Sequence, residues 1–467
     1  MEKLKFIAVG LLTVLVILPQ LVFNQRKQSM YDLLIVGGTV VTMDSERRVI
    51  DDGAIGIRNG EIVFVGKRSE VKGSAKHVEN AAGKVVIPGL INTHTHVPMG
   101  LFRGIADDLD LQQWLTQYIF PAEARNVTES FVRSGTRLGL AEFIKGGTTT
   151  YCDMYYFEDA IADETAKAGV RGILGETLID FPAPDNKTFD DALKYTEGFV
   201  KKWKGHRLIT PAVAPHAPYT VSQDHLIAAR ELSDRLDVPL VIHLAEANSE
   251  TEFIQRNHKG LRPIEYVEKI GFLSDKTVAA HVIQANESEL EILKRRDVGI
   301  AHNPQSNMKL AAGVAPVPAM LKLGLRLGLG TDGAASNNDL SLWEEMDTAA
   351  KLHKVFSGDP KVVSAVEAFE MATIGGARAL HMEKQIGSIE VGKRADIAVV
   401  EFASVNQTPM YNVYSHLVYA TKAEDVETVI IDGKIVMKGR RLLTLNEGVI
   451  KKDANLIHQR IIDSLKK

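Results

Sequence analysis

The chain has 467 residues, 45% of them apolar, and its 55 Lys and Arg residues nearly balance 59 Asp and Glu residues, for a formal net charge of −4. This balance excludes a polybasic nucleic-acid-binding protein and a disordered acidic chain. Cys152 is the single cysteine, which excludes an intrachain disulfide and a cysteine-rich metal cluster. A metal site would therefore need histidine and carboxylate ligands.

The first 30 residues contain a candidate membrane segment. Residues 6–25 carry no charge and read FIAVGLLTVLVILPQLVFNQ, which is close to the ~20 residues that span a bilayer. No small-residue cleavage site follows, which favours a retained anchor over a removed signal peptide. The alternative is that Met30 is the true start, and the protein would then be cytoplasmic.

Short β-runs joined by tight turns begin near residue 31 and return near residue 395. The dipeptides Gly37-Gly38, Asn59-Gly60 and Asp432-Gly433 each lie between two such runs, and they suit hairpin turns because they accept positive φ. Neither group of runs can bury a full core alone. We therefore expect residues 31–87 and 388–440 to form one composite β-sandwich, followed by a C-terminal helix in residues 441–467. The alternative is two independent small β-elements.

Residues 88–387 alternate apolar β-runs with helical patterns, which is typical of an α/β protein. Eight β/α units in about 300 residues predict a (β/α)8 TIM barrel as the catalytic domain. In such a barrel the carboxyl ends of all strands face one mouth. The eight runs end near His94, Asp153, Thr177, His216, His243, His281, His302 and Asp332.

Three of these strand ends supply four candidate zinc ligands. His94 and His96 are two residues apart, so a strand places both imidazoles on one face. His243 and Asp332 each follow an apolar run. Taken singly, each residue could equally be a core histidine or a cap. Together they supply four ligands to one ion while leaving a position for water. Fe²⁺, Mn²⁺ and Ni²⁺ accept the same ligand types, and we expect one Zn²⁺ per subunit.

Longer motifs resemble a known family. The segments PGLINTHTH (88–96), HLAE (243–246) and LGTDGAASN (329–337) are similar to the amidohydrolase superfamily, in its mononuclear deaminase branch. The segments HVPMGLFRG (96–104), HNPQSNMK (302–309) and GSIEVGKRAD (387–396) resemble the 5-methylthioadenosine/S-adenosylhomocysteine deaminases. The similarity covers about residues 31–439, and the first 30 residues fall outside it.

The resemblance implies hydrolytic loss of ammonia from an adenine nucleoside, which would be 5'-methylthioadenosine, S-adenosylhomocysteine or adenosine. Glu246 would pass a proton from the attacking water to N1 of the purine, and His281 and Asp332 would steer that water. Glu123 would hold the ribose hydroxyls, and His216 would also contact the nucleoside. The metal ligands implied are His94, His96, His243 and Asp332.

One departure from the family and two further alternatives keep the substrate open. Residues 172–205 contain no arginine, whereas the enzymes resembled commonly use arginine there to reach the outer part of the substrate. Recognition of the homocysteine carboxylate is therefore in doubt. A related amidohydrolase acting on another ring, of the guanine deaminase or triazine hydrolase type, is one alternative. A non-catalytic, membrane-tethered binding protein is the other, and a homo-oligomer is compatible with each.

Overall fold

The computed structural model describes residues 30–465. The candidate membrane segment, residues 6–25, lies outside this range. Within residues 30–465, no helix combines the length and the apolar character that crossing a bilayer requires.

Two sheets organise the described residues, one with nine strands and one with eight. Their strands are β1 (Tyr31–Val41), β2 (Val49–Arg58), β3 (Glu61–Lys67), β4 (Ala75–Asn80), β5 (Lys84–Pro88), β6 (Leu90–Thr95), β7 (Thr148–Tyr155), β8 (Arg171–Leu178), β9 (Ile209–Pro215), β10 (Leu240–Leu244), β11 (Thr277–His281), β12 (Gly299–His302), β13 (Arg326–Leu329), β14 (Ile397–Glu401), β15 (Val426–Ile431), β16 (Lys434–Lys438) and β17 (Arg441–Leu442).

Helices follow most of the barrel strands and cover the outside of the eight-stranded sheet. They are α1 (Leu111–Gln113), α2 (Phe120–Asn126), α3 (Glu129–Gly146), α4 (Glu158–Ala168), α5 (Phe189–Trp203), α6 (Gln223–Leu236), α7 (Asn248–Asn257), α8 (Pro263–Lys269), α9 (Glu287–Arg295), α10 (Pro304–Lys309), α11 (Val317–Leu323), α12 (Leu342–Ser357), α13 (Ala365–Met371), α14 (Ile374–Ala379), α15 (Val413–Tyr419) and α16 (Glu447–Leu465). A π-helical turn, Trp114–Ile119, joins α1 to α2.

The eight-stranded sheet is the predicted TIM barrel. Strands β6 to β13 lie side by side in chain order, and each pairs in parallel with the next. Just after β13, the backbone N–H of Asp332 donates to the carbonyl of His94 in β6 at 3.0 Å, so the last strand returns to the first. The fold class expected from the sequence is confirmed, and the carboxyl ends of all eight strands surround one mouth.

The nine-stranded sheet is assembled from both ends of the chain. Its order is β17-β16-β15-β14-β5-β1-β2-β3, with β4 beside β1. The antiparallel pair β5–β14 joins the two ends, with Val86 opposite Val399. A separate apolar cluster that includes Ile35, Ile55 and Ile397 is buried against this sheet. Neither end could bury these side chains without the other.

Two of the three predicted hairpin turns are confirmed, and one is wrong. Asn59-Gly60 joins β2 to β3 and Asp432-Gly433 joins β15 to β16, and all four residues have positive φ. Gly37-Gly38, in contrast, lies inside β1. Gly37 has a φ of 89°, and the register against β2 shifts at Gly38. The glycines therefore form a bulge in one long strand, because β1 continues to pair with neighbours on both of its edges.

A buried ion pair fastens the barrel to the outer sheet. Arg171, at the start of β8, donates from Nε and Nη2 to both carboxylate oxygens of Asp396, at 2.8 and 3.2 Å. Both side chains are 3% exposed, and the backbone N–H of Asp432 donates to the same carboxylate. The last residue of the GSIEVGKRAD motif thus links the two sheets, which is a structural role outside the barrel mouth.

Candidate metal centre and substrate cavity

Three imidazoles and one carboxylate converge at the barrel mouth, and we call these four side chains the metal cluster. His94 is the penultimate residue of β6 and His96 follows that strand, His243 lies in β10, and Asp332 follows β13. Nε2 of His96 is 3.2 Å from Nε2 of His243 and 3.2 Å from Oδ1 of Asp332. Nε2 of His94 is 3.6 Å from the same Oδ1. Ligand atoms of the three histidines all lie within 4.8 Å of one another.

The backbone orients two of these rings so that Nε2 faces the cluster. Nδ1 of His96 lies 2.6 Å from the carbonyl oxygen of Met154, and Nδ1 of His243 lies 2.7 Å from that of His216. A carbonyl can only accept, so each Nδ1 carries the proton and each Nε2 keeps its lone pair. Two lone pairs 3.2 Å apart repel each other unless a cation lies between them.

The carboxylate of Asp332 is held just as firmly. Its Oδ2 accepts from the hydroxyls of Ser306 at 2.6 Å and Ser336 at 3.1 Å, and its Oδ1 accepts from the backbone N–H of Gly333 at 2.7 Å. Hydrogen bonds that fix a carboxylate in this way are typical of the residues around a metal ligand.

The donor set fits a zinc ion. Neither ring nitrogen of His94 has a hydrogen-bond partner among residues 30–465, although the side chain is 1% exposed. A buried polar atom without a partner is costly, and a cation bound by Nε2 would satisfy one of the two. Burial lowers the pKa of His94 to about 4 and the pKa of His243 well below its ordinary value. Both rings are therefore neutral at pH 7 and can bind a cation, and the nitrogen and oxygen donors of the cluster suit Zn²⁺.

Glu246 lies beside this cluster and is suited to carry a proton. It follows His243 by three residues, is 5% exposed, and has its Oε1 3.7 Å from Nε2 of His281. Burial raises its pKa above the ordinary value of a glutamate. The carboxylate of Glu250 accepts from the backbone N–H groups of Ala245 and Glu246, at 3.0 and 2.8 Å, and so fixes the loop that carries it.

His281 is oriented by an asparagine from the next barrel segment. Its Nδ1 lies 2.9 Å from Oδ1 of Asn307, and Asn303 approaches the same nitrogen at 3.3 Å. The shorter contact assigns the proton to Nδ1, which donates to the Asn307 amide oxygen. Nε2 is then an acceptor that faces Glu246, where it can orient a water molecule.

The metal cluster opens into a cavity at the barrel mouth, the place where barrels of this kind bind small-molecule ligands. Polar groups lie mainly at the strand ends, and apolar side chains come from the segment between β6 and β7. The lining residues are His96, Met99, Leu111, Trp114, Leu115, Ile119, Phe120, Glu123, Met154, Tyr155, Tyr156, Thr177, His216, Tyr219, His243, Glu246, His281, Leu310 and Asp332.

Glu123 and His216 both face this cavity. Glu123, in α2, is 4% exposed, and its Oε1 accepts from the hydroxyl of Tyr155 at 2.7 Å. Burial raises its pKa to about 7, although the Tyr155 hydrogen bond opposes the shift. His216 follows β9, with Nδ1 2.8 Å from Oγ1 of Thr220. Burial lowers its pKa to about 3, so the ring is neutral at pH 7.

The structure brings every candidate residue named from the sequence to this one mouth, but two other strand ends have different roles. Asp153 accepts from the backbone N–H of Val97 at 2.6 Å and so supports the loop after His96. His302 is not among the residues that line the cavity, and its Nε2 lies 3.1 Å from Nε2 of His353. A histidine or aspartate at a strand end is therefore not sufficient to identify a ligand.

Sequence reasoning did not assign several residues that shape the site. Ser306 and Asn307 belong to the HNPQSNMK motif, which was noted without a role for either residue. Ser336 belongs to LGTDGAASN in the same way. Tyr155 belongs to none of these motifs. It is the last residue of β7, two residues after Asp153, and only the folded chain brings its hydroxyl to Glu123.

Comparisons with known proteins find relatives in sequence and in fold. A family model described as "Amidohydrolase family" matches residues 85–436. The 5-methylthioadenosine/S-adenosylhomocysteine deaminase of Syntrophobacter fumaroxidans is 48% identical over 417 residues, which cover 89% of this chain and 95% of the relative. The crystal structure of an adenosine deaminase from Xanthomonas campestris with bound zinc is 36% identical, with a TM-score of 0.91, and the match covers 93% of this chain and 99% of that one.

The atrazine chlorohydrolase of Arthrobacter aurescens, solved with zinc, has the same fold. Its TM-score is 0.84 at 24% identity, and the match covers 91% of this chain and 100% of that one. At this level of identity the likeness extends to the fold alone.

Replacing Asn307 with leucine tests whether the asparagine sets the tautomer of His281. We expect kcat to fall by about 10- to 100-fold, the usual effect of losing a hydrogen bond that orients a catalytic imidazole. The zinc content should be unchanged, since Asn307 contacts none of the four candidate ligands. Steady-state kinetics and metal analysis on the same preparation check both. The control is Asn257→Leu, at an exposed position in α7; an equal loss in the control would contradict a specific role.

Proposed function

This chain belongs to the amidohydrolase family, and we propose that it is a zinc-dependent deaminase that releases the 6-amino group of an adenine nucleoside as ammonia. The observation that carries the proposal is the convergence of three imidazoles, Asp332 and a buried Glu246 at one cavity. The relative at 48% identity, which is named for this reaction, supports the same conclusion.

The zinc ion would be held by the residues whose donor atoms already converge, and one ion per chain is sufficient. Bound zinc lowers the pKa of water from about 15.7 toward about 7, which makes a nucleophile available at neutral pH. A second, bridged ion would need a carboxylated lysine at the end of β9, and this strand reads ITPAVAP and is followed by His216. The proposed ligands are His94, His96, His243 and Asp332.

Glu246 would move the proton. Its raised pKa allows the carboxylate to accept a proton from the attacking water and then to donate it to N1 of the purine. Protonation of N1 makes C6 more electrophilic, so the water oxygen adds there. His281 would hold this water through Nε2, and Asp332 would relay a proton to the amino group. The C–N bond then breaks, ammonia leaves, and a carbonyl forms at C6.

Glu123 and His216 would hold the nucleoside. Tyr155 occupies one carboxylate oxygen of Glu123, which leaves the other to accept from the ribose hydroxyls. The neutral ring of His216 has its Nδ1 engaged by Thr220, so its Nε2 is directed to a ligand. These contacts would distinguish a nucleoside from a free base, because a free base has no hydroxyls for the carboxylate to accept from.

Residues 6–25 lead us to propose in addition that the enzyme is tethered to a membrane. The support is an uncharged run close to the ~20 residues that cross a bilayer. Cell fractionation checks this: the full chain should sediment with membranes, and a chain that begins at Met30 should not.

The variant Glu246→Gln tests the proposed chemistry. The full, zinc-loaded chain should release ammonia from 5'-methylthioadenosine, S-adenosylhomocysteine or adenosine. In the variant kcat should fall by about 10²- to 10⁴-fold, because an amide cannot carry the proton, while the zinc content stays the same. Glu252→Gln makes the same change at an exposed position of α7 and should leave kcat unaltered. Wild-type ammonia release by Glu246→Gln would contradict the mechanism.

The variant Glu123→Ala tests nucleoside recognition. We expect kcat/KM for adenosine to fall by about 10- to 100-fold, the effect of losing hydrogen bonds to a charged group, and activity on free adenine to be unaffected. Because the pKa of Glu123 lies near 7, kcat/KM for nucleosides should rise with pH through that value as the carboxylate forms.

Tyr155→Phe is the matched control for Glu123. This variant removes the hydrogen bond that lowers the pKa of Glu123. The rise of kcat/KM for nucleosides should therefore occur at a higher pH than in the wild type. If Glu123→Ala loses activity equally on adenosine and on adenine, Glu123 does not act through the ribose, and an enzyme that acts on free bases is favoured.

A further inference from the structure

The cavity wall contains acidic side chains and, among the described residues, no lysine or arginine that could pair with a substrate carboxylate. Its acidic members are Glu123, Glu246 and Asp332. The remaining polar members are hydroxyls, imidazoles and the indole N–H of Trp114. Three of the imidazoles belong to the metal cluster or to its proton-transfer neighbour. An anionic substituent on the substrate would find no ion-pair partner here.

The outer wall is apolar and aromatic. Leu111, Trp114 and Leu115 come from α1 and the π-helical turn, and Leu310 faces the cavity after α10. Phe120 completes this wall and packs edge-on against Phe181, with ring centroids 5.2 Å apart. Phe181 lies in the loop after β8 and is 38% exposed. The rim of the cavity on this side therefore offers hydrocarbon contact.

Arg125, two residues after Glu123, lines a separate surface pocket beside α16, and two further cations near this wall in sequence already have other partners. Lys309, next to Leu310, pairs with Asp107 and with the amide oxygen of Asn338. Lys187, in the same loop as Phe181, donates to the backbone carbonyl of Ala183 at 3.0 Å. Recruiting either ammonium group to the cavity would require these contacts to break.

We propose that this enzyme selects adenine nucleosides with an uncharged 5' substituent, such as 5'-methylthioadenosine and adenosine, and discriminates against S-adenosylhomocysteine. The inference rests on the proposed function and narrows its substrate class. A methylthio group gains hydrocarbon contact at the apolar wall. The homocysteine carboxylate would lose water without gaining a cation. Its ammonium group can approach Glu123, but the carboxylate is then repelled by the same side chain.

Three substrates distinguish the effect of charge on the 5' substituent from the effect of its length. We expect kcat/KM for S-adenosylhomocysteine to be about 100-fold below that for 5'-methylthioadenosine, because an unpaired, desolvated carboxylate is strongly disfavoured. The probe 5'-butylthioadenosine has a tail of similar length without charge, and its kcat/KM should remain within about 10-fold of the methylthio substrate. If S-adenosylhomocysteine reacts as fast as 5'-methylthioadenosine, its amino acid extends into solvent and the proposal is wrong.

A charge added at the rim should relax the selection. Phe181→Arg places a guanidinium beside Phe120, where it can pair with the homocysteine carboxylate. We expect the ratio of kcat/KM for S-adenosylhomocysteine to that for 5'-methylthioadenosine to rise by about 10-fold, the effect of one charge-assisted hydrogen bond. Phe181→Gln removes the aromatic ring without adding charge, so this ratio should not change. An equal rise in both variants would mean that ring size, rather than charge, limits S-adenosylhomocysteine.

Calorimetric binding to the zinc-loaded chain distinguishes failure of the inference from failure of the function. If no nucleoside is deaminated but 5'-methylthioadenosine binds about 100-fold more tightly than S-adenosylhomocysteine, as charge burial predicts, the selectivity stands and the proposed reaction falls. Equal Kd values would overturn the selectivity whatever the activity. Binding of neither compound would overturn both.

Discussion

Closure of the eight-stranded ring is the constraint on which the site depends. His94 and Asp332 are far apart in the chain, and they meet because β13 returns to β6, where the N–H of Asp332 bonds to the carbonyl of His94. Parallel strands end at the same rim, so His243 enters the same space from the far side of the ring. The metal cluster is in this sense a property of the barrel rather than of any single motif.

Closure of the barrel brings the candidate ligands close together, and hydrogen bonds then fix the orientation of their side chains. Backbone carbonyls of neighbouring strand ends hold the rings of His96 and His243, and two serine hydroxyls hold Asp332. Each of these contacts leaves one donor atom directed at a common point. Preorganisation of this kind means that a bound ion would not have to reorder its own ligands.

Burial gives the other residues their chemical character. Water is largely excluded around Glu246 and Glu123, so both carboxyls hold protons more readily than in solution. For Glu246 this suits a group that has to accept a proton and then release it. For Glu123 it makes ribose binding sensitive to pH. The described residues that line the cavity include no lysine or arginine. A substrate carboxylate buried there would lose its hydration without gaining an ion-pair partner.

Much of the barrel and of the candidate ligand set could be predicted from the sequence, because both follow from local patterns. The spacing of His94 and His96 and the apolar runs before His243 and Asp332 are visible without coordinates. The contacts of Asn307, Ser306 and Tyr155 were not, since each joins segments that only folding brings together. Gly37-Gly38 was misassigned because a bulge and a turn have the same local preference for positive φ.

The most direct test of the account is an anomalous diffraction map of the crystallised protein, measured at the zinc absorption edge. We expect a single peak at the barrel mouth, within about 2.0 to 2.2 Å of Nε2 of His96 and His243, a nitrogen of His94 and Oδ1 of Asp332. A map without a peak between these four side chains, or with two peaks there, would contradict the mononuclear site from which the proposed reaction follows.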